Sequence, residues 1–413
     1  MHNADHASKT TRAAVIWTGV LSEPLMTVYT LLPFVLRKEL GATTEQLAIL
    51  MMLKPVVSII SLYWSYAINE RRDKLLSNVV WAGILSRLPF LLFPFLTNIW
   101  AFIGCAAFHT MMVRGGVPAW LEILKLNLAS RERGKVFSLG ASIGYLEGVV
   151  LAIAFGVILD NESQIWRWLF PISSAIGIIG VLLQSRIPIK LEKIPMRYQV
   201  KGGSFWQKIL DPWKSAWSLM EKRPDFYRFQ LGFMICGFGL MLIQPVLPVL
   251  FVDILNLSYS EMLIVLSICR GIGYASTASF WARLINKMNI YKFTSVIFFV
   301  VSAYGGLLIL APVNIFFLYV AFFIYGIALA GNHLSWNLSG PIFATREDSS
   351  LYTSVNVATV GLRGCIAPYL GGTLCLMIGP VAVIGIGMIL CAFAGVKMYS
   401  WSKPSIVSQE HIA

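Results

Sequence analysis

Six charged side chains lie deep inside long apolar stretches of this sequence: Glu23, Lys54, Arg114, Glu147, Arg270 and Arg363. A charged group at the centre of a lipid bilayer costs about 2.5–3.5 kcal/mol on insertion scales, so each of them needs an opposite charge, water or a ligand. Four of the six are cations and two are carboxylates. This surplus of positive charge favours a site that holds an anionic group.

Three of these charges stand beside residues that weaken a helix. Glu23 precedes Pro24, Lys54 precedes Pro55, and Arg114 is followed by two glycines. Proline frees a backbone carbonyl and bends a membrane helix. A break beside a charge is typical of helices that hold a polar ligand inside the membrane. For Arg114 the alternative interpretation is that it braces the loop that follows its helix.

A second polar group occupies one apolar stretch of the second half. Asn332 and Trp336, and likewise His333 and Asn337, are one helical turn apart and share a helix face. Aromatic and imidazole rings can stack on a planar ligand and form hydrogen bonds to it. Gln244 is a further polar side chain beside prolines. The predicted binding site comprises Lys54, Arg114, Arg363, Gln244, Asn332, His333, Trp336 and Asn337.

The remaining charged and ionisable residues of the apolar stretches have other predicted roles. Glu147 is flanked by Gly144 and Gly148, small residues that let a neighbouring helix approach the charge. We expect Arg87 to extend its charge towards the membrane surface or to pair structurally. We expect His109 to be an interior histidine with satisfied hydrogen bonds rather than a ligand.

The composition indicates a membrane protein. Hydrophobic residues make up 57% and charged residues 13% of the chain, against roughly 45–50% and about 25% in soluble domains; the mean hydropathy is +0.71. The first apolar run is too long for a signal peptide and predicts a retained membrane helix. The six cysteines lie in apolar stretches without metal-ligand spacing, so we expect small buried residues, no metal and no cofactor.

The lengths of the apolar runs predict twelve transmembrane helices, since about twenty residues cross a bilayer. Of the 33 lysines and arginines, only Arg37, Lys38 and Arg167 lie on loops that face one side. The positive-inside rule therefore predicts a cell (inner) membrane protein with both termini in the cytoplasm, and the net charge of +13 does not indicate nucleic acid binding. The predicted helices are 13–36, 45–67, 77–96, 99–123, 136–158, 166–185, 226–252, 262–284, 293–311, 314–341, 351–376 and 379–400.

The chain is predicted to contain two halves, 1–185 and 224–413, joined by a basic cytoplasmic linker, 186–223. Within the linker, Phe205–Met220 has its aromatic and aliphatic residues at roughly helical spacing, which favours an amphipathic helix on the membrane surface. A plain basic tether is the alternative. The residues that define this apolar face are Trp206, Ile209, Leu210, Trp213 and Trp217.

The two halves repeat each other. Ala129–Ser138 and Ala344–Thr353 match in residue type at about six of ten positions, roughly 215 residues apart, and Leu32-Pro33 and Leu247-Pro248 keep the same shift. An internal repeat of this kind predicts one structural unit used twice.

Two six-helix halves in parallel repeat, a long basic middle segment and short basic loops after helices 2 and 8 resemble the major facilitator superfamily of secondary transporters. The resemblance covers essentially the whole chain, although its loop motif Gly-x-x-x-Asp-Arg-x-Gly-Arg-Arg is retained here only at Lys74. It implies an all-α membrane fold of two pseudo-symmetric six-helix bundles. Helices 1, 4, 7 and 10 would line a central cavity, with helix 2 meeting helix 11 and helix 5 meeting helix 8.

This implied arrangement brings the buried charges together. Glu147 would face Arg270 as an ion pair or gate, or would contact the substrate. Lys54 and Arg363 would meet with like charge, which favours an anion between them; alternatively Glu23 neutralises one and water hydrates the other. Glu23 is the proton-coupling candidate, because burial disfavours its charge whereas a nearby Lys54 favours it.

The sequence thus predicts a monomeric secondary transporter that moves a small anionic or zwitterionic organic metabolite by alternating access, coupled to protons. It contains no paired catalytic acids, His-Glu-x-x-His or Gly-x-Ser-x-Gly, so we do not expect an enzyme. Two alternatives remain open. One is an exporter of drug-like lipophilic compounds with the same fold, although helix 5 lacks the antiporter signature Gly-Pro-x-x-Gly-Gly. The other is a membrane receptor or sensor without net flux.

Overall fold

The computed structural model describes residues 2–70, 74–128, 130–188, 214, 216–344 and 349–402. Nearly all of these residues are helical, and none of them is in a strand. The long helices, in chain order, are α1 His2–Leu40, α2 Thr44–Glu70, α3 Leu75–Phe95, α4 Ile99–Asn127, α5 Ser130–Asn161, α6 Trp166–Gln184, α7 Pro224–Ile254, α8 Tyr259–Leu284, α9 Ile290–Leu310, α10 Phe316–Ala344, α11 Ser349–Ile378 and α12 Pro380–Trp401.

Within the described residues, nine helices are long and apolar enough to cross a bilayer. The other three long helices, α2, α4 and α5, carry Lys54, Arg114 and Glu147. Most observed helices extend past the predicted spans, since a helix can continue beyond the apolar residues that lie in lipid. For α1 the larger extension is at the N-terminus, where the polar residues from His2 onward are already helical.

Three of the helices change geometry along their length. The last part of α3, Leu88–Phe95, is a 3₁₀-helix with prolines at its start and near its end. Helix α7 passes through a 3₁₀ turn at Gln244–Val246 and ends as a π-helix at Leu250–Ile254. Helix α8 contains a π-helical stretch at Ile264–Cys269, directly before Arg270. Such π-helical segments are frequent at functional sites.

The chain forms two compact units. Unit 1 comprises Met1–Pro195 and Pro248–Ile268, and unit 2 comprises Met196–Leu247 and Cys269–Ala413. Both α7 and α8 are divided between the two units, whereas the predicted domains are separated at the linker. The predicted domain boundaries stay a prediction. Most of the predicted amphipathic segment, Phe205–Met220, lies outside the described residues.

Unit 1 packs around aromatic side chains from α3, α4 and α6. Five of them are completely buried: Phe90, Phe93, Phe102, Trp166 and Phe170. The ring centroids of Phe93 and Phe170 are 4.7 Å apart, and those of Phe93 and Phe102 are 4.8 Å apart in an edge-on arrangement. Aromatic pairs at these separations contribute packing energy beyond the area that they bury.

Unit 2 relies on glycines at helix crossings. A Cβ atom on Gly239 of α7 or on Gly387 of α12 would lie 2.7 Å from the carbonyl oxygen of the other residue. Gly273 of α8 contacts the carbonyl of Phe323 on α10, and Gly326 of α10 contacts the backbone of α8 at Arg270. Small residues let membrane helices approach to backbone contact. Arg270 therefore begins a helix segment that is fixed against α10.

Candidate functional site

Glu23 lies in unit 1, where the glycines of α5 leave room for its carboxylate. A Cβ atom on Gly148 would lie 2.9 Å from Oε1 of Glu23, and one on Gly144 would lie 3.5 Å from Oε2. The spacing of these glycines predicts that they admit a neighbouring helix, and that helix is α1. The position of this carboxylate thus depends on the absence of side chains at two residues of α5.

Glu147, on the same helix as these glycines, is the charged neighbour of Glu23. Its Oε2 atom is buried and has no hydrogen-bond partner among the described residues. The two carboxylates are therefore in electrostatic contact with each other. The predicted ion pair between Glu147 and Arg270 joins residues of different units and stays a prediction.

Two of the predicted anion-binding cations belong to unit 1. Lys54 is exposed on α2, immediately before the buried Pro55. Arg114 is half-buried on α4, and in the part of the chain that the structure describes it has no carboxylate partner. Arg114 thus has a guanidinium available for a ligand or for water.

Arg270 has aromatic neighbours in unit 2. Its charge acts on the phenols of Tyr304 and Tyr325, whose rings are stacked with centroids 4.7 Å apart. Tyr304 comes from α9 and Tyr325 from α10. Arg270 therefore has phenol oxygens near it in its own unit, independently of Glu147.

Arg363 is directed into unit 2. Only 8% of the residue is exposed, and its Nη1 donates a hydrogen bond to the carbonyl oxygen of Phe233 on α7. The guanidinium lies against Gly237, where a Cβ atom would collide with it, and its Nε has no partner among the described residues. A guanidinium has five N–H donors, so an anion would contact Arg363 through the N–H groups that the bond to Phe233 does not use. The meeting of Arg363 with Lys54 stays a prediction.

The predicted polar residues of α10 lie on a partly exposed face. His333 and Asn337 are exposed, while Asn332 and Trp336 are half-buried. The hydroxyl of Tyr274 on α8 lies 3.3 Å from Nδ1 of His333, with ring centroids 5.5 Å apart. The amide of Asn337 donates to the carbonyl oxygen of His333 at 2.8 Å. Gln244 is half-buried at the first residue of the 3₁₀ turn in α7.

A buried polar network in unit 2 was not predicted. Gln230 of α7 donates to Oδ1 of Asn356 on α11, and Nδ2 of Asn356 donates to Oγ of Ser339 at 2.9 Å. Thr359 donates to Oε1 of Gln230 at 3.3 Å. The signal in the sequence is an amide and a hydroxyl one turn apart, Asn356 and Thr359, within an otherwise apolar helix.

A second unpredicted feature is a group of charged residues in unit 1 where α1 and α5 meet the start of α8. We call it the α1–α8 cluster. Arg37 forms a salt bridge with Asp253, and the hydroxyl of Tyr259 donates to Glu39 at 2.6 Å. The carboxylate of Asp160 accepts hydrogen bonds from the first two backbone N–H groups of α8, at 2.6 and 3.0 Å. The members of the cluster are Arg37, Lys38, Glu39, Asp160, Asp253 and Tyr259.

These buried charges and apolar helices are compatible with several membrane functions, and comparison with known families decides between them. The family model of the Major Facilitator Superfamily matches residues 18–340, which is most of the chain. The chain belongs to this superfamily. The predicted family and the all-α membrane fold are thereby confirmed, and the protein is a membrane transporter rather than an enzyme.

Solved structures of superfamily transporters share the fold. A mutant of the nucleoside transporter NupG superposes with a TM-score of 0.72 at 12% identity, covering 95% of this chain and 98% of that chain. A bacterial homologue of the human lysosomal transporter Spinster, inward-facing and occupied, has a TM-score of 0.66 at 13% identity, covering 99% of each chain. No curated protein matches the sequence. At this level of identity the likeness shows the fold alone.

Proposed function

We propose that this superfamily member is a secondary active transporter that carries a small anionic or zwitterionic organic metabolite by alternating access. The observation that carries the proposal is the distribution of charge. Glu23 and Glu147 neighbour each other. Arg114 has no carboxylate partner among the described residues. An uncompensated guanidinium in a membrane span favours a substrate that brings its own negative charge.

We propose that Glu23 carries the coupling proton. Two carboxylates in the membrane interior repel each other when both are charged, and one bound proton removes that repulsion. The glycines at 144 and 148 place Glu23 against α5, so that α1 and α5 share the proton-binding region. A cycle in which Glu23 exchanges its proton with each side in turn would couple substrate movement to the pH gradient.

The test is uptake into liposomes that contain the purified protein. We expect acidic metabolites to accumulate when an inward proton gradient is imposed. Glu23→Gln should abolish accumulation driven by the gradient but retain exchange of labelled for unlabelled substrate, since exchange needs no net proton movement. Glu162→Gln, an exposed carboxylate directly after α5, is the matched control. Gradient-driven accumulation by Glu23→Gln at the wild-type rate would exclude the proton role.

We propose that the substrate anion is held by Lys54, Arg114 and Arg363, with the polar residues Gln244, Asn332, His333, Trp336 and Asn337 orienting its uncharged part. Replacing Lys54 or Arg114 by Gln should weaken binding of an acidic substrate by about ten- to a hundredfold, because a hydrogen bond to a charged group contributes roughly 1.5–3 kcal/mol and every 1.4 kcal/mol is about tenfold in affinity. Binding of an uncharged analogue should change little. Equal losses for both ligands would argue against direct contact with the anion.

A neutral planar solute is the second candidate, and a specific feature supports it. The half-buried Tyr274 and the exposed His333 form an aromatic pair, and the amide of Asn337 bonds to the backbone of His333. This combination is suited to stacking on and hydrogen bonding to a heterocycle. The structural neighbour NupG is described as a nucleoside transporter. The substrate panel therefore includes nucleosides. Nucleoside uptake that is unaffected by Lys54→Gln and Arg114→Gln would favour this candidate over the anion.

We also propose an orientation in the cell membrane with both termini in the cytoplasm, and a monomer as the working unit. The charge asymmetry of the loops supports the orientation. Cysteine labelling of residues on either side of the membrane in intact cells tests it, and light scattering of the purified protein tests the monomer.

A further inference from the structure

Unit 1 contains a pocket that none of the predicted site residues lines. It has a volume of about 200 Å³ and lies between α1, α3, α4 and α6. Arg87 and His109 lie along its wall, and the other lining side chains are mostly apolar. Met26 and Val113 line it as well and are 51% and 42% exposed, so the mouth lies between α1 and α4.

Arg87 is the charged group of this pocket and is held in place by α1 and α3. Its Nη1 donates to the carbonyl oxygen of Gly83 at 2.8 Å, and its Nη2 donates to Oγ of Ser22 at 2.7 Å. On the far side, a Cβ atom at Gly177 of α6 would lie 2.5 Å from its Nε. The missing side chain at Gly177 thus makes space for the guanidinium. The side chain is therefore fixed inside the bundle rather than extended to the membrane surface, which was one of the two roles predicted for it.

No counter-charge for Arg87 is present in the described part of the chain. None of the pocket's lining residues is acidic, and Nε of Arg87 is buried without a hydrogen-bond partner. Neutral oxygens satisfy two of its nitrogens, but they do not compensate its charge. Arg87 is partly buried, and a cation in such a place without an anion is costly; an anionic ligand would lower that cost.

His109, the other ionisable residue of the pocket wall, is neutral or positive and cannot balance the charge of Arg87. Its position is fixed by its neighbours. Its Nδ1 is 2.7 Å from the carbonyl oxygen of Ser86, an arrangement in which Nδ1 donates. Its ring packs on those of Tyr29 and Phe90, with centroid distances of 5.0 and 4.8 Å. The predicted interior role of His109 fits this placement. In the pocket it forms part of a rigid aromatic wall beside the Arg87 guanidinium.

We propose that this pocket binds a small monocarboxylate with an apolar body, its carboxylate on Arg87 and its body among the apolar side chains. The volume sets the size of the ligand. At about 30 Å³ per water molecule in the liquid, 200 Å³ has room for about seven small groups. A straight-chain acid of six carbons has five aliphatic groups and one carboxylate and fits this volume, whereas drug-sized ligands need about 300–1,000 Å³.

The proposal does not depend on transport or on the Glu23 proton site, because binding is measured without a gradient. Calorimetry on protein in phosphatidylcholine nanodiscs, corrected with empty nanodiscs, would compare hexanoate with hexan-1-ol and acetate. Hexanol has the apolar body without the charge, and acetate has the charge without the body. We expect hexanoate to bind at least tenfold more tightly than either.

Two variants and two matched controls locate the site. Arg87→Gln should weaken hexanoate binding at least tenfold, and Arg167→Gln, at the start of α6 and outside the pocket, should not. Val113→Trp should fill the mouth and abolish binding even if Arg87→Gln fails to fold. Val157→Trp introduces the same ring at an exposed position of α5 and should leave binding intact.

Three results would each overturn the proposal. Hexanol could bind as tightly as hexanoate, Arg87→Gln could leave hexanoate binding unchanged, or the two control variants could lose as much binding as Arg87→Gln and Val113→Trp. Labelled hexanoate in liposomes then distinguishes two uses of the same site. Accumulation that Val113→Trp abolishes would make the acid a substrate that passes through the pocket. Binding without accumulation would make it a ligand that is not transported. The pocket assignment stands in both cases.

Discussion

Removal of the Asp160 carboxylate is the most direct perturbation of the α1–α8 cluster. Asp160 caps the first turn of α8 through two backbone N–H groups, at 2.6 and 3.0 Å. In the proposed alternating-access cycle the two repeat halves, 1–185 and 224–413, move against each other, so we expect the start of α8 to separate from α5 at one stage. Loss of the cap should therefore favour the separated state.

The size of the effect follows from the contact. Hydrogen bonds to a charged group contribute about 1.5–3 kcal/mol, and truncation of a helix cap costs about 0.5–2 kcal/mol. Because Asp160 is exposed and Ser258 also caps this turn, the lower part of these ranges applies. A cost of about 1–2 kcal/mol changes a two-state equilibrium by a factor of roughly 5–30. Asp160→Asn, which keeps one acceptor oxygen, should have about half the effect in free energy.

The assay measures the distance between spin labels at Trp100 and Ile254, exposed residues at the start of α4 and the end of α7. The background replaces the six native cysteines with serine. We expect Asp160→Ala to increase the long-distance population by about an order of magnitude. Glu162→Ala removes a neighbouring exposed carboxylate and is the control. The same distance distribution for Asp160→Ala and Glu162→Ala would refute the capping argument.

Three further predictions concern packing inside each unit, with Gly19→Leu, at a position where a Cβ atom would have no neighbour within 4 Å, as the common control. Gly148→Leu should displace the Glu23 carboxylate, which would lie 2.9 Å from the new Cβ atom, and should lower proton-driven uptake by about tenfold while the protein still folds. Asn356→Leu should lower stability by about 2–3 kcal/mol, seen in thermal unfolding, because it leaves buried partners without hydrogen bonds. Gly273→Leu should reduce the yield of folded protein, since the side chain meets the backbone of α10 and overpacking costs about 1–3 kcal/mol or more.

The helical fold could be predicted from the sequence, and so could the close approach of a helix at the glycines that flank Glu147. Apolar run lengths and the internal repeat indicated the helical architecture, because both are local or periodic properties. The glycines at 144 and 148 were identified as a place where a helix approaches a charge, and Glu23 occupies it. The spacing could not show that the approaching helix is α1. It therefore could not show that Glu23 of α1 would become a neighbour of Glu147.

The features that the sequence analysis missed depend on contacts between distant parts of the chain. The hydrogen bonds from α8 to Asp160 span about a hundred residues, and the Gln230–Asn356 bond joins α7 to α11. The direction of Arg363 depends on Gly237, on another helix, leaving space for its guanidinium. Helix periodicity gives the face of a residue, but it does not give the identity of the partner on that face.

The arginines within the long helices differ in the hydrogen bonds that hold their guanidinium groups. Arg363 and Arg87 each donate to a backbone carbonyl of their own unit, so their positions are fixed before any ligand arrives. Arg114 has no such bond among the described residues. A fixed guanidinium suits a small pocket of defined shape, as at Arg87, because little entropy is lost when the ligand binds. A guanidinium without a fixed partner can follow a substrate between two states, and Arg114 is therefore the stronger candidate for a contact that is made and broken during transport.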